Sequence, residues 1–353
     1  MKNFFKKIAD FFASHHSWLC QNRRCFFLAL LVIVILLLFY FIKVARNYPL
    51  KIDLKHEPNF FGVTYSTKFC KEMGLDWQEV YLAILNDLKV KEIRLPIYWD
   101  EIEKESGEFN FTKYDYIINE GEKRGVKFII NIGWRLPRWP ECHAPEWTNK
   151  ETLEMTKAKV VRMIDETVKH YRDRESITAW QLENEPFFNE FGVCPESDYW
   201  FFTKELEAVK RLDDRPIIIS ATGELSMWRK EAKLADIFGS TVYRVVWGPI
   251  TGYVRYPIPA WFYGLKADLL HIPKDKRIIV ELQAEPWVPK GSIIHLSEKE
   301  ANKSFNLAQF KANLQYGINV GFEKAYLWGV EWWYYQYKFG NPDYWRLART
   351  IFK

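Results

Sequence analysis

Two patterns of apolar and polar positions divide the chain. Residues 26–42 read FFLALLVIVILLLFYFI, 17 positions without a charge. From about residue 59 onward, short apolar, β-branched runs alternate with longer stretches in which apolar residues recur every three to four positions. The short runs suit strands covered on both faces, and the longer stretches suit amphipathic helices. The alternation predicts strands over 60–65, 91–96, 127–132, 177–182, 216–220, 241–247, 277–282 and 324–328. Helices are predicted around 77–88, 114–124, 152–171, 199–212, 228–237, 260–270, 299–316 and 344–351. Eight strand–helix units over roughly 295 residues match an α/β TIM (β/α)8 barrel, which typically needs about 250.

The 17-residue run lies at the short end of what spans a bilayer as a helix. Arg23, Arg24 and Lys43 bound it, and no small-x-small cleavage site follows it, so a retained signal anchor is expected in preference to a cleaved signal peptide. The expected organisation is a basic segment at 1–25, a single transmembrane helix at 26–42, a linker at 43–58 and a barrel at 59–353. Lys2, Lys6, Lys7, Arg23 and Arg24 precede the run, while Lys43, Arg46, Lys51 and Lys55 follow it. That balance gives a slight vote for a cytoplasmic N-terminus. Polymeric glycans normally lie outside the cytoplasm, so the expected localisation is a single-pass membrane protein with an extracytoplasmic barrel.

Composition narrows the partners. With 48% hydrophobic and 27% charged residues the chain is globular in balance. Its formal net charge of +5 is spread among interleaved acids and bases, which excludes a nucleic-acid footprint. There is no His/Cys/Asp cluster at ligand spacing, so neither a metal nor a cofactor is expected. Cys20 and Cys25 lie just before the apolar run, and Cys70, Cys142 and Cys194 lie in the barrel region. Cys142 and Cys194 fall in the loops after strands 3 and 4, which are neighbours, and a disulfide there is expected if the compartment is oxidising. The 16 Trp residues serve either sugar stacking or core packing, and composition leaves both open.

In a parallel barrel the active site lies at the carboxyl ends of the strands. Strand 4 ends in Glu183-Asn184-Glu185-Pro186, and strand 7 in Glu281-Leu282-Gln283 with Glu285 two residues on. Strand 2 carries Arg94 and strand 8 presents Trp328. A lone strand-end Glu is ordinarily a solvated loop carboxylate. Two of them on strands facing each other across the mouth can converge on one bond, as glycoside hydrolysis requires: one protonated to donate, one ionised to attack. Glu183 is expected to face away from the site used by Glu185.

The Asn184-Glu185-Pro186 triplet, the Glu closing strand 7, Arg94 and Trp328 together resemble clan A glycoside hydrolases. The likeness is to the cellulase-type family 5, with features of families 42 and 39, over nearly all of residues 59–353. The resemblance implies that Glu185 is the acid/base, that Asn184 hydrogen-bonds the sugar 2-hydroxyl and that Glu281 is the nucleophile. It implies that Arg94 orients the nucleophile and keeps it ionised, and that Trp328 floors the subsite of the cleaved sugar. A strand-6 tyrosine contacting the nucleophile corresponds to Tyr243, with Tyr253 as the alternative. Many family 5 members read Glu-Thr-Gly or Glu-Phe-Gly at the nucleophile; here the run is Glu281-Leu282-Gln283-Ala284-Glu285. Glu285 is thus a rival nucleophile. Glu281 is preferred because it directly follows Ile278-Ile279-Val280, which leaves Glu285 a substrate-contacting role. The strand-3 loop, GWRLPRWPECHAPEW, offers Trp134, Trp139 and Trp147 as walls of sugar subsites or as a stiff packed loop, and His143 as a hydroxyl contact. The expected function is retaining hydrolysis of a β-linked oligo- or polysaccharide. A sugar-binding protein without chemistry and a transglycosylase remain alternatives on the same residues.

Overall fold

The computed structural model describes residues 23–46 and 52–352, and within the first of these the side chains of 27–40. The described residues fall into two compact units, an N-terminal helix and the barrel. The apolar run does fold as a helix, α1 (Arg23–Arg46). Among the described residues, however, no helix is long and apolar enough to cross a membrane, so the span expected at 26–42 is not supported. Its 17 uncharged residues make roughly 25 Å of helix, against a hydrocarbon core of roughly 30 Å. Most of the expected basic segment at 1–25 and part of the expected linker at 43–58 lie outside the described residues.

The barrel is built of β1 (Phe61–Thr64), β2 (Glu92–Pro96), β3 (Lys127–Ile132), β4 (Ile177–Leu182), β5 (Ile217–Ala221), β6 (Ile237–Val242), β9 (Arg277–Gln283) and β10 (Lys324–Trp328). They close in the order β1-β10-β9-β6-β5-β4-β3-β2, and every ladder is parallel. Between β6 and β9 lies a separate antiparallel hairpin of β7 (Val245–Gly248) and β8 (Gly252–Arg255). The barrel interior is filled by Ile129, Ala179, Ile218, Ile278, Val280 and Tyr326. Each buried isoleucine of such a layer stabilises the fold by roughly 2 kcal/mol relative to leaving it exposed.

Three predicted strands, at 127–132, 177–182 and 324–328, match to the residue. The sixth does not. It was expected at 241–247 but runs over Ile237–Val242, and the apolar residues that suggested it go instead to the hairpin. The cause is the small Gly239-Ser240 pair, which carries no apolar strand signal. A Cβ on Gly239 would lie 2.7 Å from Val280 Cγ1, so the packing of the barrel interior leaves no room for the residue types that mark a strand. The helix predicted at 299–316 is two, Glu298–Ser304 and Leu307–Val320, with Ser297 and Asn306 each capping its own N-terminus. A helix at Val330–Lys338 follows β10 and had no counterpart in the predicted pattern.

One irregularity matters for the site. On both sides of β9 the ladder skips a residue: Ile279 and Glu281 pair with the consecutive Ser240 and Thr241, and the step from Ala325 to Leu327 is matched by Ile279 to Leu282. The extra residue is a β-bulge, a device that re-aims side chains. It lets Val280 join the core while the adjacent Glu281 reaches the mouth.

Candidate active site

Glu281 is held from two strands. Arg94 of β2 donates from Nη1 to Glu281 Oε1 at 3.0 Å, and Tyr243, one residue past β6, donates its hydroxyl to Oε2 at 2.8 Å. Arg94 is fully buried, and an unpaired buried guanidinium would be very costly. Its other donors are satisfied inside the barrel. Nε reaches Gln181 Oε1 at 2.6 Å, and Nη2 reaches Asn184 Oδ1 at 2.9 Å and Asn131 Oδ1 at 3.2 Å. Arg94 therefore ties β2, β3, β4 and β9 into one rigid plate beneath the mouth. Burial and the charge of Glu281 push the Tyr243 phenol well above its ordinary range, so it stays a donor.

Glu185 projects from the turn that ends β4. Both Glu183 and Glu185 have positive φ, 56° and 48°, a backbone state that costs non-glycine residues about 1 kcal/mol or more and clusters at functional sites. The turn is fixed on both flanks. The Glu185 N–H donates to Ser220 Oγ at 2.9 Å, and Thr241 donates its hydroxyl to Glu185 Oε1 at 3.0 Å. Glu183 turns the other way and accepts the N–H groups of Trp134 (2.6 Å) and Arg135 (2.5 Å). Gly133, with φ 136°, makes room for it: a Cβ there would lie 2.3 Å from Glu183 Oε1. Burial raises the pKa of Glu185 well above the usual carboxyl value, and the charges of Glu281 and Glu141 push it further.

Glu141 is a third carboxyl of this site that the sequence reading missed. It sits in the strand-3 loop, 4% exposed, where Asn184 Nδ2 donates to it at 3.3 Å and Arg135 Nε lies at 3.6 Å. Burial, reinforced by Glu281 and opposed by Arg135, lifts its pKa to about 8. The next residue, Cys142, forms a disulfide with Cys194 of the strand-4 loop. Asn131, Gln181 and Thr241 were missed too, although the first two interrupt apolar strands with an amide, which was the available signal.

The remaining predicted residues gather in a second cluster. Glu285 forms an ion pair with Arg138 Nη1 and a longer bond with Nη2 at 3.3 Å, and Arg138 Nη2 also reaches Glu331 Oε2 at 3.1 Å. The guanidinium lies 3.9 Å from the ring centroid of Trp328 and 3.4 Å from that of Phe69. Trp328 is 8% exposed, so this indole face carries an arginine, where a bare sugar platform was expected. His143 packs edge-on against Tyr98 and its Nε2 bonds the Arg138 carbonyl at 3.0 Å. Burial lowers its pKa to about 4, so it stands as a neutral prop inside the loop. Trp134 lines a pocket with Cys142, Glu183, Pro186, Cys194 and Glu205. Trp147 packs on Trp99, and Trp139 is 63% exposed beside Phe191. Tyr253 bonds Glu300, leaving Tyr243 as the tyrosine on Glu281. Among the described residues no group of His, Cys, Asp and Glu could hold a metal.

A parallel eight-stranded barrel with carboxyls converging from β4 and β9 defines the class of clan A barrels. Residues 55–242, more than half of the chain, match the family Cellulase (glycosyl hydrolase family 5), and the chain belongs to that family. A probable mannan endo-1,4-beta-mannosidase F of Neosartorya fischeri is 27% identical over 128 residues, 35% of this chain and 27% of that protein. The mannan endo-1,4-beta-mannosidase F of Aspergillus clavatus is 28% identical over 131 residues, 35% of this chain and 28% of that protein. The match thus spans little more than a quarter of these relatives. Among solved structures, GH5_18 from Streptomyces cattleya in complex with GlcNAc superposes with a TM-score of 0.55 at 12% identity, over 78% of this chain and 71% of that one. Native xylanase 10B from Thermotoga maritima gives 0.53 at 15% identity, over 82% and 94%. At such identities these two structures bear on the fold alone.

Proposed function

We propose that the protein is a retaining glycosidase acting on a β-linked oligo- or polysaccharide, with Glu185 as acid/base and Glu281 as nucleophile. The observation that carries this reading is the contrast between the two carboxyls. Glu281 accepts from Arg94 and Tyr243 on its two oxygens, whereas burial and neighbouring negative charge favour the protonated form of Glu185. In the first step Glu185 gives its proton to the glycosidic oxygen while Glu281 attacks the anomeric carbon. The C–O bond breaks, the aglycone leaves as an alcohol, and a glycosyl ester forms on Glu281. In the second step the Glu185 carboxylate takes a proton from water, whose oxygen attacks the anomeric carbon and releases Glu281. In this reading Asn184, fixed by Arg94, bonds the 2-hydroxyl.

The names of the fungal relatives make β-mannans the first substrates to try. The Cys142–Cys194 disulfide supports an oxidising, extracytoplasmic location. The test is to trap the intermediate with 2-deoxy-2-fluoro glycosyl fluorides of the manno, gluco, galacto and xylo series, then map the label by mass spectrometry. A stoichiometric label on Glu281 is expected. A label on Glu285, or turnover with inversion at the anomeric carbon, overturns the assignment.

A further inference from the structure

The cluster around Arg138 lies on one particular side of the site. Glu185 follows β4, and its supports Ser220 and Thr241 belong to β5 and β6. The proton donor therefore occupies the β4–β5–β6 half of the mouth, and the leaving group must depart there. The sugar attacked by Glu281 extends its non-reducing end the opposite way, toward β9, β10 and β1. That half is filled. Phe69 follows β1, Glu285 follows β9, and Trp328 and Glu331 belong to β10 and the helix after it. Arg138, delivered by the strand-3 loop, is sandwiched between Phe69 and Trp328 and pairs with both carboxylates.

Resting on the retaining-glycosidase reading, we infer that this cluster closes the site beyond the cleaved sugar. The enzyme then removes single sugars from the non-reducing end of its chain and does not cut in the interior. Three observations support a wall as opposed to a mobile side chain. Phe69, Arg138, Glu285 and Trp328 are each at most 8% exposed and Glu331 is fully buried, so these side chains are packed against one another. Displacing Arg138 would strand two buried carboxylates, which is strongly unfavourable. The loop itself is pinned: Arg138 sits at φ 82°, its carbonyl accepts from Glu141 N at 2.8 Å and contacts His143 Nε2, and Cys142 is tied to Cys194.

The experiment uses the full chain and β-linked manno-, gluco-, galacto- and xylo-hexaoses labelled at the reducing end, alongside aryl mono- and diglycosides. The expected product is a labelled ladder shortening one sugar at a time, with unlabelled monosaccharide as its partner. Arg138→Ala and Phe69→Ala are expected to raise the ratio of kcat/KM for aryl diglycoside over aryl monoglycoside at least about tenfold. If either variant fails to fold, the wild-type ladder decides alone. Early unlabelled di- or trisaccharides, or interior cuts, overturn this inference and leave the glycosidase reading intact. Absence of turnover on every substrate overturns the glycosidase reading and this inference with it.

Discussion

Glu281 accepts a guanidinium N–H on one oxygen and a phenol O–H on the other. Across the mouth, Glu185 accepts one hydroxyl and feels the negative charges of Glu281 and Glu141. The two side chains are chemically identical, and their proposed roles differ because of what other strands bring to them. Arg94 comes from β2 and Tyr243 from beyond β6; neither neighbours Glu281 in sequence. The difference teaches that a carboxyl at a barrel rim is assigned by its partners, and that its own motif only delivers it to the place where they act.

Four substitutions would break or sharpen that contrast. Glu281→Gln should remove the nucleophile while keeping its shape, lowering kcat by about 10⁴-fold or more with ligand affinity within a few-fold, as kinetics and calorimetry would read. Glu185→Gln should cost about 10²–10⁴-fold on glycans with poor leaving groups. With dinitrophenyl glycosides the first step needs no proton donor, so a rapid burst followed by a slow steady state is expected in stopped-flow traces. Arg94→Met strands Glu281 without its cation and should destabilise the fold by about 3 kcal/mol, read as a loss of Tm and of denaturant midpoint.

The smallest effect belongs to Glu141→Gln. Ionised Glu141 opposes ionisation of Glu185, so removing it lowers the Glu185 pKa and moves the alkaline limb of kcat/KM to lower pH. Stability should respond as well. The pKa of Glu141 is raised from 4.5 to about 8, so the folded state holds a proton that the unfolded state has lost. The associated stability is fully present below about 4.5 and is lost as pH climbs toward 8. The Gln variant should therefore match wild type in Tm near pH 5 and exceed it above pH 8.

Much of this arrangement was legible in the sequence wherever a residue is carried by a strand. Arg94, Asn184, Glu185 and Glu281 each lie in or directly after an apolar run, so finding the runs located them. Tyr243 was named on the resemblance and sits on Glu281, although the strand beneath it was misplaced because Gly239-Ser240 carries no strand signal. Arg138 and Glu141 were not legible. Their positions depend on a loop whose path is set by contacts far along the chain: the disulfide to Cys194, and the turn of Glu183 onto the backbone of 134 and 135. Trp328 was located correctly, but the arginine on its face could not be read from its own neighbourhood. Hydropathy favoured a membrane span over 26–42, but among the described residues no helix is long and apolar enough to cross a membrane.

The bulge in β9 has a consequence for how this barrel tolerates change. Val280 and Glu281 are consecutive, yet one serves the packed interior and the other the chemistry, because a single surplus residue resets the phase of the strand between them. Deleting Val280 would mend the ladder into unbroken pairing with Glu281 still opposite Thr241, so the carboxylate would keep its face while the core lost a valine. The surplus residue thus fills the interior without disturbing the phase of the chemistry, and a lineage or a designer tidying this strand would lose stability and leave the carboxylate where it stands.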